Sequence, residues 1–381
     1  MALVCLDDFR AYAKRHLPKG TWDYFEGGAD ECATRDDNIL AFKRIRLRPR
    51  VLKNVSTVDT RTTIQGTEIS CPVSIAPTGF HCLAWPDGET SMARGAEAQG
   101  VCYVTSMYST SSLTDIVAAA PSGLRWFQLY MHKDRQLVTE LVREVEALGF
   151  RVLVLTVDTP VGGKRRADLR NSFGLPAHLS LQIIPEARQV GAGHQLPIAD
   201  IDPSVCWEDV SWLRSLTRLP IVLKGILTRE DAEQAVGRGV QGILVSNHGG
   251  RQLDGVLATV GGPRPGGLGE PWPGTFGRFL PAGARAHTHT HTHTFIHSLV
   301  FIERLLCAEH CTMCLGSTSR QHIETVQQRA HTRTHNRART RLCTQSLLAN
   351  PWPWSCPVSA LPWPLFRPCP CPCPVPISTP G

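Results

Sequence analysis

A parallel β/α barrel is the architecture that residues 72 to 246 predict. Six short apolar segments recur there, at Val73 to Ala76, Val101 to Thr105, Leu124 to Tyr130, Val152 to Asp158, Ile221 to Lys224 and Gly242 to Ser246. Helix-forming stretches lie between them, at Glu89 to Gln99, Leu113 to Ala120, Arg135 to Leu148, Glu208 to Leu216 and Arg229 to Gly237. Continuously apolar strands alternating with helices build a parallel sheet with covered faces. A second observation selects a barrel over an open sheet. Polar or ionisable residues recur where the strands end: Pro77-Thr78-Gly79, Ser106, Gln128 with Tyr130, Thr156 with Asp158, Lys224, and Ser246 with His248. In a barrel those ends converge on one mouth, where the site is built. Finally, no Gly-x-Gly-x-x-Gly follows the first strand, so a nicotinamide-type dinucleotide fold is unsupported.

Ahead of the barrel, Leu6 to Leu17 reads as a short amphipathic helix and Trp22 to Gly28 as the end of a second one, closed by a glycine pair. Tyr24 falls in an apolar, aromatic setting and on that basis reads as core. Leu47 to Val58 is basic and punctuated by proline, and Thr60 to Ser70 reads as a small antiparallel hairpin around Gly66. The insert from Pro160 to Cys206 is long enough for an active-site lid. Its Lys164-Arg165-Arg166 run, taken alone, reads as a solvated basic loop.

Composition divides the chain into residues 1–260 and 261–381. The first part holds 29 Lys+Arg against 29 Asp+Glu, whereas the second holds 11 Arg, 4 Glu, no Lys and no Asp, so all of the +7 formal charge sits there. That second part also carries 16 of the 28 prolines, 8 of the 14 cysteines and an alternating His-Thr run from His287 to Thr294. Such bias predicts a disordered tail without a packed core. The six earlier cysteines (Cys5, Cys32, Cys71, Cys82, Cys102, Cys206) lack paired spacing, as expected of reduced thiols. Acidic residues near the N-terminus argue against a signal peptide, and no apolar run approaches a membrane span.

The chemistry concentrates at Gly242 to Gly255, GILVSNHGGRQLDG. A buried strand stops at Ser246-Asn247-His248 and two glycines, so it delivers an imidazole to an irregular loop that other groups can approach closely. Histidine titrates near neutrality and can take a proton, and Arg251 offers a planar fork matched to a carboxylate. A base beside a carboxylate clamp suggests chemistry at the carbon next to a carboxylate. The same two residues read equally well as a turn histidine beside a surface arginine.

Six stretches decide between these readings: GGADECATRDDNILAFKRIRLRPR, ISCPVSIAPTGF, RWFQLY, VLTVDTP, IVLKGI and SNHGGRQLDG. Through them residues 1 to about 260 resemble the FMN-dependent L-2-hydroxy-acid oxidases, the glycolate oxidase-like family, and within it the peroxisomal branch acting on medium- and long-chain acids. The resemblance implies a (β/α)8 TIM barrel of the FMN-dependent type, about six of whose eight strands lie in this region. It implies FMN as cofactor, a small 2-hydroxy acid and O2 as partners, and a homo-oligomeric assembly. His248 matches the general base, with Asp158 and Tyr130 beside it in the catalytic group. Tyr24, Tyr130, Arg165 and Arg251 match the groups that hold the substrate. Ala76, Pro77, Thr78, Ser106, Gln128, Thr156, Lys224 and Ser246 match cofactor contacts, with Lys224 beside the flavin edge where negative charge gathers on reduction. No metal is implied. A Schiff-base lyase using Lys224 is a weaker reading, since it leaves His248 and the two arginines without a joint purpose.

After Thr259 the family pattern should run on through Asp-Gly-Gly-Val-Arg and Gly-Arg-Pro, and neither occurs. The loops after strands seven and eight usually build a barrel's phosphate site. The resulting expectation is a chain that carries every matched catalytic residue yet holds FMN too weakly for turnover. Cys307, His310, Cys311 and Cys314 include a Cys-x-x-Cys, but no second ligand pair follows, so biased composition explains them better than zinc. The Arg-rich Arg329 to Arg341 lacks the interleaved aromatics of a nucleic-acid site. The chain ends in Ser378-Thr379-Pro380-Gly381, without a peroxisomal Ser-Lys-Leu-like tripeptide, which leaves a cytoplasmic location as the alternative to the peroxisome.

Overall fold

The computed structural model describes residues 3–184 and 200–261. Three helices come first: α1 (Leu6–His16), α2 (Lys19–Glu26) and α3 (Ala33–Arg44). A hairpin of β1 (Thr62–Ile64) and β2 (Thr67–Ile69) follows, its two-residue loop formed by Gln65 and Gly66, both at positive φ. Positive φ at both loop positions matches the right-handed twist of a tight hairpin. The repeating part then runs α4 (Gly88–Gln99), β3 (Tyr103–Ser106), α5 (Leu113–Ala119), β4 (Arg125–Leu129), α6 (Arg135–Ala147), β5 (Leu153–Thr156), α7 (Arg166–Arg170), α8 (Trp207–Leu216), β6 (Ile221–Ile226), α9 (Arg229–Gly237) and β7 (Gly242–Val245). Side chains begin several helices: Asp134 accepts from Gln136 and Leu137, Ser112 from Asp115, and Thr228 from Asp231.

The large sheet is parallel and ordered β3-β4-β5-β6-β7, each strand beside its predecessor. Doubly wound sheets reverse order at a switch point, and this one does not, so its order is that of a barrel wall. The sixth expected strand, Val73 to Ala76, needs correcting. It contributes one parallel bridge, Ile75 with Tyr103, through Ile75 N to Cys102 O at 2.8 Å and Val104 N to Ile75 O at 3.0 Å. Pro72 and Pro77 bracket it, and Val73 N turns back to Cys71 O at 2.7 Å, so the ladder cannot extend. Helix α3 was not anticipated, because its apolar residues show almost no helical periodicity and its burial comes from Thr34, Asn38 and Ala41. The lid expected over 160–206 includes α7, while its residues 185–199, like the tail 262–381 with its expected disorder, lie outside the described residues.

Two apolar clusters divide the faces of the sheet. Cys102, Val104, Trp126, Val152, Val154, Val222 and Leu244 form one, closed off by Ile64 and Ile69 of the hairpin. Tyr103, Phe127, Leu129, Leu153, Leu155, Ile221, Leu223 and Ile243 face the other way and pack with helical residues such as Leu141, Val145 and Leu213. This period of two makes the first cluster the barrel interior and the second the layer under the helices.

The helices before the barrel are fastened to the segment after β7. Asp254 accepts from the backbone of Glu31, Ala33 and Thr34 at 3.0, 3.3 and 2.8 Å, capping α3 from outside its own sequence neighbourhood. Asn38 and Asn247 exchange side-chain hydrogen bonds of 3.0 and 2.8 Å, at 6% and 3% exposure. Replacing Asn38 with Ala strands part of the buried Asn247 amide, so unfolding free energy should fall by about 1–3 kcal/mol. Urea unfolding at fixed m-value reads this directly, and a change below ~0.5 kcal/mol, the range of an ordinary surface substitution, would show the pair to be dispensable.

Candidate active site

Along the interior face the residues change from apolar to polar at the C-terminal strand ends. Val104 gives way to Ser106, Trp126 to Gln128, Val154 to Thr156 and then Asp158, Val222 to Lys224, and Leu244 to Ser246. Period-two alternation thus places a polar ring above an apolar core. Ser106 Oγ donates to Gln128 Oε1 at 3.2 Å and accepts from Tyr108 N at 3.1 Å, so the ring begins with a linked pair on neighbouring strands.

Asp158 is the electrostatic centre of the site. Its Oδ1 lies 2.6 Å from His248 Nδ1 and 3.1 Å from Thr159 Oγ1, and its Oδ2 lies 3.8 Å from Lys224 Nζ. Burial pushes the His248 imidazole well below its ordinary value; Asp158 pulls it up, while the Lys224 and Arg165 cations push it down again. His248 is therefore neutral at pH 7, Nδ1–H donates to Asp158, and Nε2 keeps a free lone pair. Burial alone would raise the Asp158 carboxyl, but attraction to His248 and Lys224 and hydrogen bonds from His248 and Thr159 outweigh it and hold it below the usual carboxylate range. With the imidazole uncharged, Lys224 and the hydrogen bonds are what keep Asp158 ionised. His248 itself sits at φ +57, followed by Gly249 and Gly250 at +67 and +69. A left-handed backbone is costly for a histidine, and here Ser246 Oγ accepts from His248 N at 3.0 Å and Asn247 Oδ1 from Gly250 N at 3.2 Å to hold it.

Two arginines converge over Tyr24. The Arg165 and Arg251 guanidinium carbons lie 6.0 and 5.3 Å from the centre of its ring, which also stacks on Phe173 at 4.5 Å. Their loops can meet because Gly163 has no side chain: a Cβ there would fall 2.1 Å from Arg251 O. Arg251 Nη1 donates to Phe25 O and Gly27 O at 3.0 and 2.9 Å, and Nη2 donates to Tyr24 O, so it also fixes the end of α2. Burial, followed by repulsion from Arg165, lowers the Arg251 guanidinium to about 10, which leaves it charged at neutral pH. Two half-buried cations whose own carboxylate neighbour, Asp168, is pushed upward by burial make an environment that favours an added anion.

A cavity joins these groups, lined by Tyr24, Pro77, Tyr130, Arg165, Lys224 and His248 among others. Gln128 Nε2, Thr156 Oγ1 and Thr78 Oγ1 are buried without a hydrogen-bond partner among the described residues. Unsatisfied buried polar groups cost free energy unless a ligand or water meets them. The Gln128 amide, the Thr156 hydroxyl and the Lys224 ammonium all line the cavity and suit the alternating carbonyl and N–H edge of a flavin ring, so the residues present fit the expected FMN. A broader, more apolar cleft adjoins this cavity, sharing Thr156, Thr159 and Ile201 with it.

Of the sequence-derived residues, Tyr24, Pro77, Ser106, Gln128, Tyr130, Thr156, Arg165, Lys224 and His248 line this one cavity. Asp158 stands behind His248, and Ala76 and Thr78 flank Pro77 on the loop after the Ile75 bridge. Ser246 and Arg251 are placed differently. The first bonds His248 N and the second bonds α2 carbonyls, and neither is on the cavity wall. Tyr108, Phe80 and Thr159 line the cavity without having been singled out. Glu89 was not singled out either: it is a fully buried carboxylate away from the cavity wall that accepts from His81 N, Thr110 N and Ser111 Oγ at 3.0, 2.9 and 2.9 Å and ties two loops of the mouth together. Nothing local in the sequence separates Glu89 from an exposed first-turn glutamate.

Comparison with known proteins agrees with the geometry. The family described as FMN-dependent dehydrogenase matches residues 13–261. A 2-hydroxyacid oxidase 2 from Homo sapiens is 61% identical over 260 residues, covering 68% of this chain and 74% of that protein. A glycolate oxidase from Spinacia oleracea is 44% identical over 268 residues, covering 68% and 72%. Among solved structures, a mandelate oxidase superposes with a TM-score of 0.61 at 37% identity, over 67% of this chain and 72% of the other. With the mouth of a parallel β/α barrel lined in this way and such identity across residues 13–261, the chain belongs to the FMN-dependent dehydrogenases, among the 2-hydroxy-acid oxidases.

Proposed function

We propose that this chain oxidises L-2-hydroxy acids to 2-oxo acids, with O2 reduced to H2O2. The observation that carries the reading is a neutral His248 held by Asp158 in the same cavity as Lys224 and Arg165. When bound, FMN would supply the redox chemistry, a hydride equivalent (two electrons and one proton) lost from the substrate carbon that leaves on O2, with the proton held by His248, as H2O2. Arg165, on the cavity wall, holds the substrate carboxylate by charge-assisted hydrogen bonds, and Arg251, behind the wall over the same Tyr24 ring, adds its charge and the donors that α2 leaves free. Tyr24 and Tyr130 orient the hydroxyl. His248 Nε2 takes the proton released as the 2-hydroxy carbon becomes a carbonyl, and Asp158 stabilises the imidazolium that forms. Lys224 offsets negative charge gathering at the cofactor edge. The backbone and side chains at Ala76, Pro77, Thr78, Ser106, Gln128 and Thr156 hold the ring, and Ser246 aims the base. The comparisons do not favour a Schiff-base lyase.

The adjoining apolar cleft supports an aliphatic substituent on the acid, and the ratio of turnover on long-chain to short-chain acids tests that preference. The resemblance also supports a peroxisomal location, checked by imaging the tagged chain against a peroxisomal marker. For the activity itself, the purified chain incubated with FMN should release peroxide with L- but not D-2-hydroxy acids and should show a flavin absorption band. A colourless protein without peroxide release would reject this reading and favour the weak-FMN expectation.

His248→Gln removes the base but no proposed ring contact, so kcat should fall by roughly 10²–10⁴ while flavin stays bound. Loss of flavin in that variant would contradict the assignment. The pH dependence has a defined sign. Because His248 is shifted below its ordinary value, the base stays unprotonated into mildly acidic solution, and kcat/KM should stay level below pH ~6.5 before falling. A fall beginning above pH ~6.5 would mean that the titrating base is a different group. Arg251→Lys should raise KM and also lower thermal stability, since an ammonium reproduces neither the carboxylate fork nor the three contacts to α2. Unchanged kcat/KM would remove Arg251 from the substrate site.

A further inference from the structure

Gly225 occupies a place that a side chain cannot. Across β6 and β7, Lys224 pairs with Leu244 and Ile226 with the next residue, Val245, so Gly225 is an extra residue bulged out of the ladder. Its φ is +114, a value that residues with a Cβ rarely adopt. The bulge also reverses the alternation. Lys224 faces the interior, yet Ile226, two positions on, packs into the cluster under the helices.

The space left by the missing Cβ is filled by Asp158. A Cβ on Gly225 would lie 2.6 Å from Asp158 Cβ, 2.7 Å from Asp158 Cγ and 2.9 Å from Asp158 N. Such separations are well inside van der Waals contact, and two of the three atoms belong to the carboxylate-bearing side chain. The neighbouring residue fixes the approach from the other side, since Val157 N donates to Lys224 O at 2.9 Å while Lys224 Nζ stands 3.8 Å from Asp158 Oδ2. Asp158 is therefore wedged between the bulge and the His248 loop, with only 2.6 Å from Oδ1 to the imidazole.

We propose that Gly225 is a positioning residue for the base: its bulge and bare Cα admit the Asp158 carboxylate to the place where it fixes the Nδ1–H tautomer of His248. A methyl group at 225 must displace Asp158 by several tenths of an ångström, which lengthens or breaks the bond to His248 Nδ1. The imidazole then loses its carboxylate acceptor, the partner that raises its affinity for a proton, and keeps at Nδ1 only the Thr159 hydroxyl at 3.2 Å, which can donate as well as accept and so does not select a tautomer. This inference rests on the reading of His248 as the base, but its primary readout does not need turnover.

The test compares the FMN-loaded chain with Gly225→Ala, using ¹⁵N-histidine NMR to read the tautomer and titration of His248. In the starting protein His248 should be a single Nδ1–H tautomer. In Gly225→Ala the signal should become a mixture of tautomers or switch to Nε2–H, with kcat lower by roughly 10–100-fold and KM within about threefold. A variant with reduced thermal stability but unchanged tautomer and kcat would overturn the proposal, leaving Gly225 as a strand-shaping residue only. A second background guards against misfolding. In Asp158→Gly the two side-chain atoms of the contact are gone while the backbone strain of Gly225→Ala is the same, so adding Gly225→Ala should cost no further kcat and less thermal stability than it costs in the starting protein. A further loss of kcat, or a loss of stability as large as in the starting protein, would contradict action through Asp158. If the starting protein shows the Nδ1–H tautomer but never turns over a 2-hydroxy acid, the functional reading fails while the tautomer comparison still decides the role of Gly225.

Discussion

One largely buried carboxylate, Asp158, organises the chemistry at the mouth of this barrel. Asp158 stands at 2.6 Å from His248 and 3.8 Å from Lys224, on three separate strand ends. A buried negative charge is tolerated only when cations and donors meet it, and in meeting it these residues acquire fixed relations to one another. The imidazole gains a defined tautomer, the ammonium is held beside the cavity, and Thr159 completes the set with a 3.1 Å bond. Chemistry and architecture are thus coupled through one side chain.

The supports around this centre extend to sequence-distant elements. The α1 to α3 segment reaches the loop after β7 through Asn38 with Asn247 and through the backbone at Glu31 to Thr34 with Asp254. Ala29 N donates to Gly250 O at 2.8 Å, in the stretch whose left-handed backbone presents His248. Holding a strained imidazole at positive φ takes such over-determination. The N-terminal helices therefore serve the site as a brace, and through Tyr24 they also form part of its wall. Among the described residues no helix is long and apolar enough to cross a membrane.

Much of this was legible from strand-end chemistry. Ser106, Gln128, Thr156 and Lys224 each follow an apolar run, and period two carries that pattern onto one face, so the polar ring could be read before any coordinates. The family resemblance, rather than any quoted motif, suggested substrate-holding roles for Tyr24 and Arg165, which in isolation look like a core tyrosine and a basic loop. Other features had no local signature. Glu89 looks like any first-turn glutamate until four donors from two loops surround it. Arg251 offered a carboxylate fork, but only the fold reveals that most of its hydrogen bonds brace α2. The bulge at Gly225 depends on cross-strand register, which a single strand cannot disclose. The Val73 to Ala76 segment had the composition of a strand, and its bracketing prolines were the cue that it would shrink to a bridge.

The central claim is that electrons leave an L-2-hydroxy acid while His248 takes the proton. Anaerobic mixing of the FMN-loaded chain with substrate, followed by flavin absorbance in a single turnover, isolates that half of the reaction from oxygen. Rapid bleaching with the L acid, little with the D acid, and a slow phase in His248→Gln are the predicted result. Retained FMN that does not bleach with any 2-hydroxy acid would contradict the account.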